Sequence, residues 1–302
     1  MSTAFPEGLD APFVHPPPPQ RPELPDGVEP TSLAPNWRAW MGFVALLLGF
    51  VVAAVGALVL TLIGAAFDGS VVSSGKLTNP SPAVNILATV FQGLCLIGAA
   101  LAIARIAGRP RPWDFGLHGT RFWPAVGWAL LTWGSFLAVT VAWVALVGAE
   151  DAADTLPSEL GADKSSVALV SVGILVCVVA PLAEEFFFRG FFFTALRSWK
   201  GLWPAALITG LVFGGIHAGS SNVAFLVPLA FFGFALCLLY AKTGSLYPCI
   251  AIHAANNSVA FSASQDWGWQ MAPVLVGSLA VLALICWLIH RATGPTPAWA
   301  LS

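Results

Sequence analysis

Residues 181–190 read PLAEEFFFRG, which sets Glu184, Glu185 and Arg189 inside an apolar run extending over about 166–190. A charged side chain near the centre of a bilayer costs roughly 2.5–3.5 kcal/mol on insertion scales. Three such groups within six residues therefore need a reason. Either they neutralise one another, or they line a wet polar site.

The surrounding composition makes the membrane reading firm. Of 302 residues, 57% are hydrophobic and 9% are charged, whereas soluble domains carry about 25% charged residues. The mean hydropathy is +0.80. The thirteen Trp and twenty-one Phe suit a lipid-facing surface with aromatic anchors at its interfaces. Cys95, Cys177, Cys237, Cys249 and Cys286 all fall in apolar stretches without paired zinc-ligand spacing. They read as small buried packing residues.

Apolar segments of about 20 residues, the length that spans a bilayer, fall at about 40–64, 82–105, 123–147, 166–190, 202–218, 223–241, 245–262 and 271–290. The expected fold is all-α: a polytopic membrane protein of eight transmembrane helices. Alternate loops holding Arg105, Arg109, Arg111 and Arg121, then Arg197 and Lys200, then Lys242, collect most of the basic residues. The opposite loops hold Lys76 and Lys164 beside Asp68, Glu150, Asp151, Asp154, Glu159, Asp163 and Asp266. By the positive-inside rule both termini are cytoplasmic. The arginine-rich loop reads as topology anchors and headgroup contacts, so no nucleic-acid partner is expected.

The domain organisation follows. Residues 1–36, with ten of the 23 prolines, form an acidic, disordered or polyproline-like cytoplasmic tail without the apolar core of a signal peptide. Residues 37–292 form the membrane domain, with its polar motifs in 166–262, and 293–302 form a short C-terminal tail.

Within the fourth span, Glu185 and Arg189 are four residues apart with the acid N-terminal, the favourable order for an ion pair. Glu184 lies about 100° away around the helix and is left free. Pro181 has no N–H for the residue four before it, so a kink is expected just ahead of the pair. In LVFGGIHAGS, Phe213 and His217 are four apart, with Gly214 and Gly215 leaving room for close approach; in LYPCIAIHAANNS, His253 and Asn257 are four apart. Glu184 and His217 lie 16 residues before and 17 after the turn near Lys200. An antiparallel hairpin then brings them to one depth, provided the fourth helix runs on past Arg189 towards Lys200. That hairpin would project into the cytoplasm, because His253 is only about 11 residues past Lys242.

Pro181-x-x-Glu184-Glu185-x-x-Phe188-Arg189-Gly190, then Phe213-x-x-x-His217, then His253-x-x-x-Asn257, resembles the three-motif signature of the CAAX-processing and bacteriocin-processing (CPBP, or Abi) intramembrane proteases, which include the type II CAAX prenyl endopeptidases. Gly244-Ser245-Leu246-Tyr247-Pro248 is similar to the family's lead-in to its last motif. No motif position departs from the pattern. The resemblance implies proteolysis in or beside the membrane, on a membrane-associated protein or peptide substrate.

The implied chemistry suits these side chains. Glu184, desolvated and not held by Arg189, can accept a proton from water, and His217 can hold or share the same water. His253 and the Asn257 amide can face a tetrahedral oxyanion, with Glu185 and Arg189 as the supporting pair. The family is usually called a metalloprotease family, and Glu184, His217 and His253 could hold a catalytic Zn ion with an open fourth position. The HExxH pattern is absent, and metal-free glutamate-activated water is sufficient and preferred. The alternative from another class is a non-catalytic membrane scaffold or regulator, for example in bacteriocin immunity. A proton or ion transporter is disfavoured, because no paired broken helices occur in corresponding halves. The expected location is a bacterial plasma membrane, with the site opening towards the cytoplasmic, basic-loop face.

Overall fold

Apolar side chains cover the outside of the helices and polar ones are held within, the reverse of a water-soluble protein. Leu47, Val55, Leu131, Val141 and Val276 are exposed, whereas Glu185, Arg189, Thr209, Ser258 and Ser262 are buried. The structure, a computed structural model, describes residues 35–68, 80–149, 152 and 155–293. The tails expected over 1–36 and 293–302 thus lie almost wholly outside the described residues. Among the described residues the regular structure is helical, as expected. The long rods are α1 (Ala39–Asp68), α2 (Pro82–Ala104), α3 (Phe122–Val147), α4 (Ser166–Lys200), α5 (Leu202–Ile216), α6 (Leu226–Thr243), α7 (Leu246–Ser264) and α8 (Met271–Thr293).

Six of these, α1, α2, α3, α4, α6 and α8, are long and apolar enough to cross a membrane. The other two fall short for different reasons. Helix α5 has only 15 residues, and α7 is diluted by His253, Asn256, Asn257 and its serines. These are the rods that present the motif histidines.

Helix α4 does run past Arg189 to Lys200. Its 35 residues correspond to roughly 50 Å at 1.5 Å per residue, well beyond a ~30 Å hydrocarbon core. In place of a simple proline kink it widens twice into π-helical turns, at Leu175–Val179 and Phe186–Phe193. The first has a local cause. Pro181 cannot donate, and the Ala180 N–H reaches back five residues to the Leu175 carbonyl. The α and π partners of the Val176 carbonyl are both thereby lost to it. The Asn257 amide fills the gap, Nδ2 donating to Val176 O at 2.9 Å.

Close helix approach places the first histidine motif, that of His217. A Cβ on Gly210 would meet Ala230 O at 2.6 Å, one on Gly214 would meet Leu226 O at 2.7 Å, and one on Gly233 would meet the Phe213 Cβ at 2.8 Å. Gly210, Gly214 and Gly233 therefore let α5 and α6 touch backbone to backbone, as small residues do between membrane helices. Gly215, expected to share this role, faces open space.

On the basic-loop face, residues 112–120 fold down over the bundle. Leu246 N–H donates to Gly116 O at 2.9 Å, Ser245 Oγ to His118 O, and Thr120 Oγ1 to Thr243 O at 3.0 Å. Phe115 stacks on Phe186 with ring centroids 4.6 Å apart. Behind it lie Phe187, Phe188, Phe191, Phe192 and Phe193, all fully buried. The cysteine expectation holds for Cys177, Cys237 and Cys249, which are buried and free, while Cys95 and Cys286 are half-buried.

Candidate active site

Two neighbouring glutamates on α4 meet different surroundings. Glu185 is fully buried, and its Oε1 accepts from both Arg189 Nη1 and His253 Nδ1, each at 2.7 Å. Arg189 is equally buried, donates Nη2 to Gly233 O at 3.0 Å, and lies 4.7 Å from the centroid of the Phe213 ring. The predicted i,i+4 ion pair is thus present. It carries a third member that spacing did not reveal, the His253 imidazole.

Glu184 points the other way. Its side chain is 21% exposed, but its Oε2 is buried and has no hydrogen-bond partner. His253 Nε2 lies 3.9 Å from it, too far for a direct hydrogen bond. The Glu185 carboxylate fixes the proton of His253 on Nδ1, so Nε2 is the atom turned to Glu184.

His217 is set by the end of α5. The helix stops there, the backbone N–H of His217 reaching Gly214 O at 3.2 Å. Its ring replaces the missing backbone donor: Nδ1–H donates to Phe213 O at 2.7 Å. Nε2 of this ring is again the free nitrogen. The Phe213 ring spaces the two imidazoles, with centroids 4.9 Å from His217 and 5.8 Å from His253.

Glu184, His217, His253 and Asn257 all line one cavity of about 640 Å³, whereas Glu185 and Arg189 stand behind its wall. Asn257 has one amide hydrogen committed to Val176 O and a second left for another acceptor. The cavity also takes in Gln92, Thr140 and Asn256, which the motif reading missed. Gln92 carried a usable signal, an amide near the middle of a largely apolar span.

Residues 166–259 match the family of type II CAAX prenyl endopeptidase Rce1-like proteins. The matched segment covers 94 of the chain's 302 residues. It carries all of the expected site residues and runs from the start of α4 into α7. An "Uncharacterized 24.3 kDa protein" of Escherichia coli is 31% identical over 104 residues, 33% of this chain and 48% of that protein. The "Putative membrane peptidase YdiL" of Bacillus subtilis (strain 168) is 32% identical over 85 residues, 28% of this chain and 34% of that protein. The chain thus spans at most about half the length of these curated relatives. No solved structure matches.

Whether the matched segment suits a metal depends on its donors. Two imidazole Nε2 atoms and one carboxylate face the cavity, an appropriate donor chemistry for zinc. Among the described residues, however, no three His, Cys, Asp or Glu side chains converge as a metal-holding group. As arranged the site does not form a zinc cage.

Proposed function

We propose that the chain is an intramembrane endopeptidase that hydrolyses a peptide bond in a membrane-associated protein or peptide, using water activated by Glu184 and its histidines. The observation that carries this reading is the Glu184 carboxylate. Its Oε2 is buried without a hydrogen bond, 3.9 Å from His253 Nε2, beside a cavity large enough for a peptide segment. A water about 2.8 Å from each atom can bridge that gap.

In this mechanism Glu184 takes a proton from the water as its oxygen attacks the scissile carbonyl carbon. The C=O electron pair becomes the oxyanion, and the free amide hydrogen of Asn257 is placed to donate to it. His217 Nε2, on the same cavity, can accept the water's second hydrogen in place of His253 Nε2 and orient it there. Collapse of the tetrahedral adduct breaks the C–N bond, and the proton held by Glu184 passes to the leaving amine. Glu185 and Arg189 act behind the wall by fixing the His253 ring. The eight-helix layout with both termini in the cytoplasm completes the reading. It requires α5 and α7 to cross within the shelter of the six longer rods.

Glu184→Gln keeps the shape and removes the base. Proteome-wide mapping of new N-termini in membranes expressing either form should show cleavages that fall at least about 100-fold in the variant, at equal protein level. Cleavage or phenotype that persists in Glu184→Gln assigns the chain to the non-catalytic scaffold or regulator class instead.

A further inference from the structure

The two ends of the cavity are not alike. Its wall takes Leu156, Pro157 and Leu160 from the connection before α4, and Gly219, Ser220 and Phe225 from the connection between α5 and α6. Both connections lie at the acidic-loop end of the bundle, where Asp68, Glu159, Asp163 and Asp266 are the described acids. Among the described residues, no lining residue comes from the basic connections at 105–121, 197–201 or 242–245. That end is closed instead. Phe187, Phe188, Phe191 and Leu246 are fully buried there, and Phe115 is stacked onto Phe186 above them. The folded 112–120 segment is hydrogen-bonded across the top, to Leu246 and Thr243.

From this asymmetry we propose that the cavity receives its substrate from the acidic-loop face, so that the scissile segment belongs to a peptide or membrane-anchored protein exposed on the non-cytoplasmic side. The positive-inside rule places the arginine-bearing end in the cytoplasm and the acidic end opposite. The cytoplasmic opening expected from the resemblance is thereby replaced. A cytoplasmic route would have to part a layer of phenylalanines and break the hydrogen bonds above it. The route from the other face runs along the cavity that those two connections line. The proposal rests on the protease reading, and it adds which compartment the substrate occupies.

The test is impermeant thiol labelling of the full chain in intact and permeabilised cells, with a sulfonated maleimide as probe and the unsubstituted chain as blank. Ser220→Cys reports the cavity wall and Val223→Cys the same connection, where the native side chain is 78% exposed. Trp199→Cys reports the basic end. We expect Ser220→Cys and Val223→Cys to react from outside intact cells, and Trp199→Cys to react at least tenfold faster after permeabilisation. Labelled Ser220→Cys should also lose Glu184-dependent cleavage. Val223→Cys reacting only after permeabilisation, or Trp199→Cys reacting from outside, overturns the proposal. Mapping of the cleaved termini separates the two ideas. Glu184-dependent termini in cytoplasmic segments overturn the sidedness and leave the protease standing. The absence of any Glu184-dependent terminus removes the protease reading, and this proposal with it, whatever the labels show.

Discussion

Asn257 and Pro181 lie in different motifs, 76 positions apart in sequence, yet the structure couples them through one carbonyl. Val176 O loses its backbone donors because Pro181 has no N–H and Ala180 bonds Leu175, and Asn257 Nδ2 supplies the replacement at 2.9 Å. Asn257→Ala should therefore cost the desolvation of an orphaned acceptor, about 1–3 kcal/mol. Val176 and Asn257 both border the cavity, where water can reach the carbonyl, so the lower half of that range, about 1–2 kcal/mol, is expected. Pro181→Ala restores the N–H and lets the helix serve Val176 O itself. In that background Asn257→Ala should cost less than about 0.5 kcal/mol. The double-mutant cycle, read from reversible unfolding of the four proteins in mixed detergent micelles, should give a coupling of about 1 kcal/mol. Equal costs of Asn257→Ala in both backgrounds would refute the reasoning. Activity separates a second role: if Asn257 also meets the oxyanion, turnover stays about 100- to 1,000-fold low even where stability is restored.

Other perturbations test neighbouring parts of the site. Arg189→Met strands the fully buried Glu185 carboxylate with His253 as its one remaining partner, and should lower stability by about 3–5 kcal/mol in the same unfolding assay. Arg189→Lys, which cannot keep both the Glu185 and Gly233 contacts, should fall between it and wild type. Gly214→Ala forces α5 off α6 and should cost about 1–3 kcal/mol, whereas Gly215→Ala, facing open space, should change stability by less than about 0.5 kcal/mol. Cleavage should survive chelation, with metal analysis of the purified chain giving well under one zinc per chain. Stoichiometric zinc lost together with activity, and regained with it, would replace the metal-free mechanism.

Much of this was legible in the sequence because helical spacing is local arithmetic. The Glu185–Arg189 pair, the separation of Glu184 from it, and the run of α4 beyond Arg189 all follow from 3.6 residues per turn and a count of positions. What was not legible depends on how rods meet. His253 joining Glu185, Asn257 meeting Val176, and Gly210 rather than Gly215 sharing the contact with α6 are set by packing between elements, and no period records them. The sidedness of the cavity is of the same kind. Motif residues sit mid-bundle and say nothing of which end is plugged, which the buried phenylalanines of α4 and the folded 112–120 segment decide.

The division of labour between the adjacent glutamates has an energetic logic. A buried ion pair is not in itself a stabilising device, since apolar residues of like volume do as well or better. What Arg189 and Glu185 supply is orientation and charge cancellation. The guanidinium neutralises Glu185, so the cavity wall presents one uncompensated carboxylate rather than two. Glu185, held in place, grips His253 Nδ1 and so aims Nε2 at Glu184. An apolar trio at these positions would fill the space and leave the imidazole free to turn, and the gap between Glu184 and His253 would no longer be fixed at a length that one water can bridge. The pair behind the wall is thus the cause of the geometry in front of it.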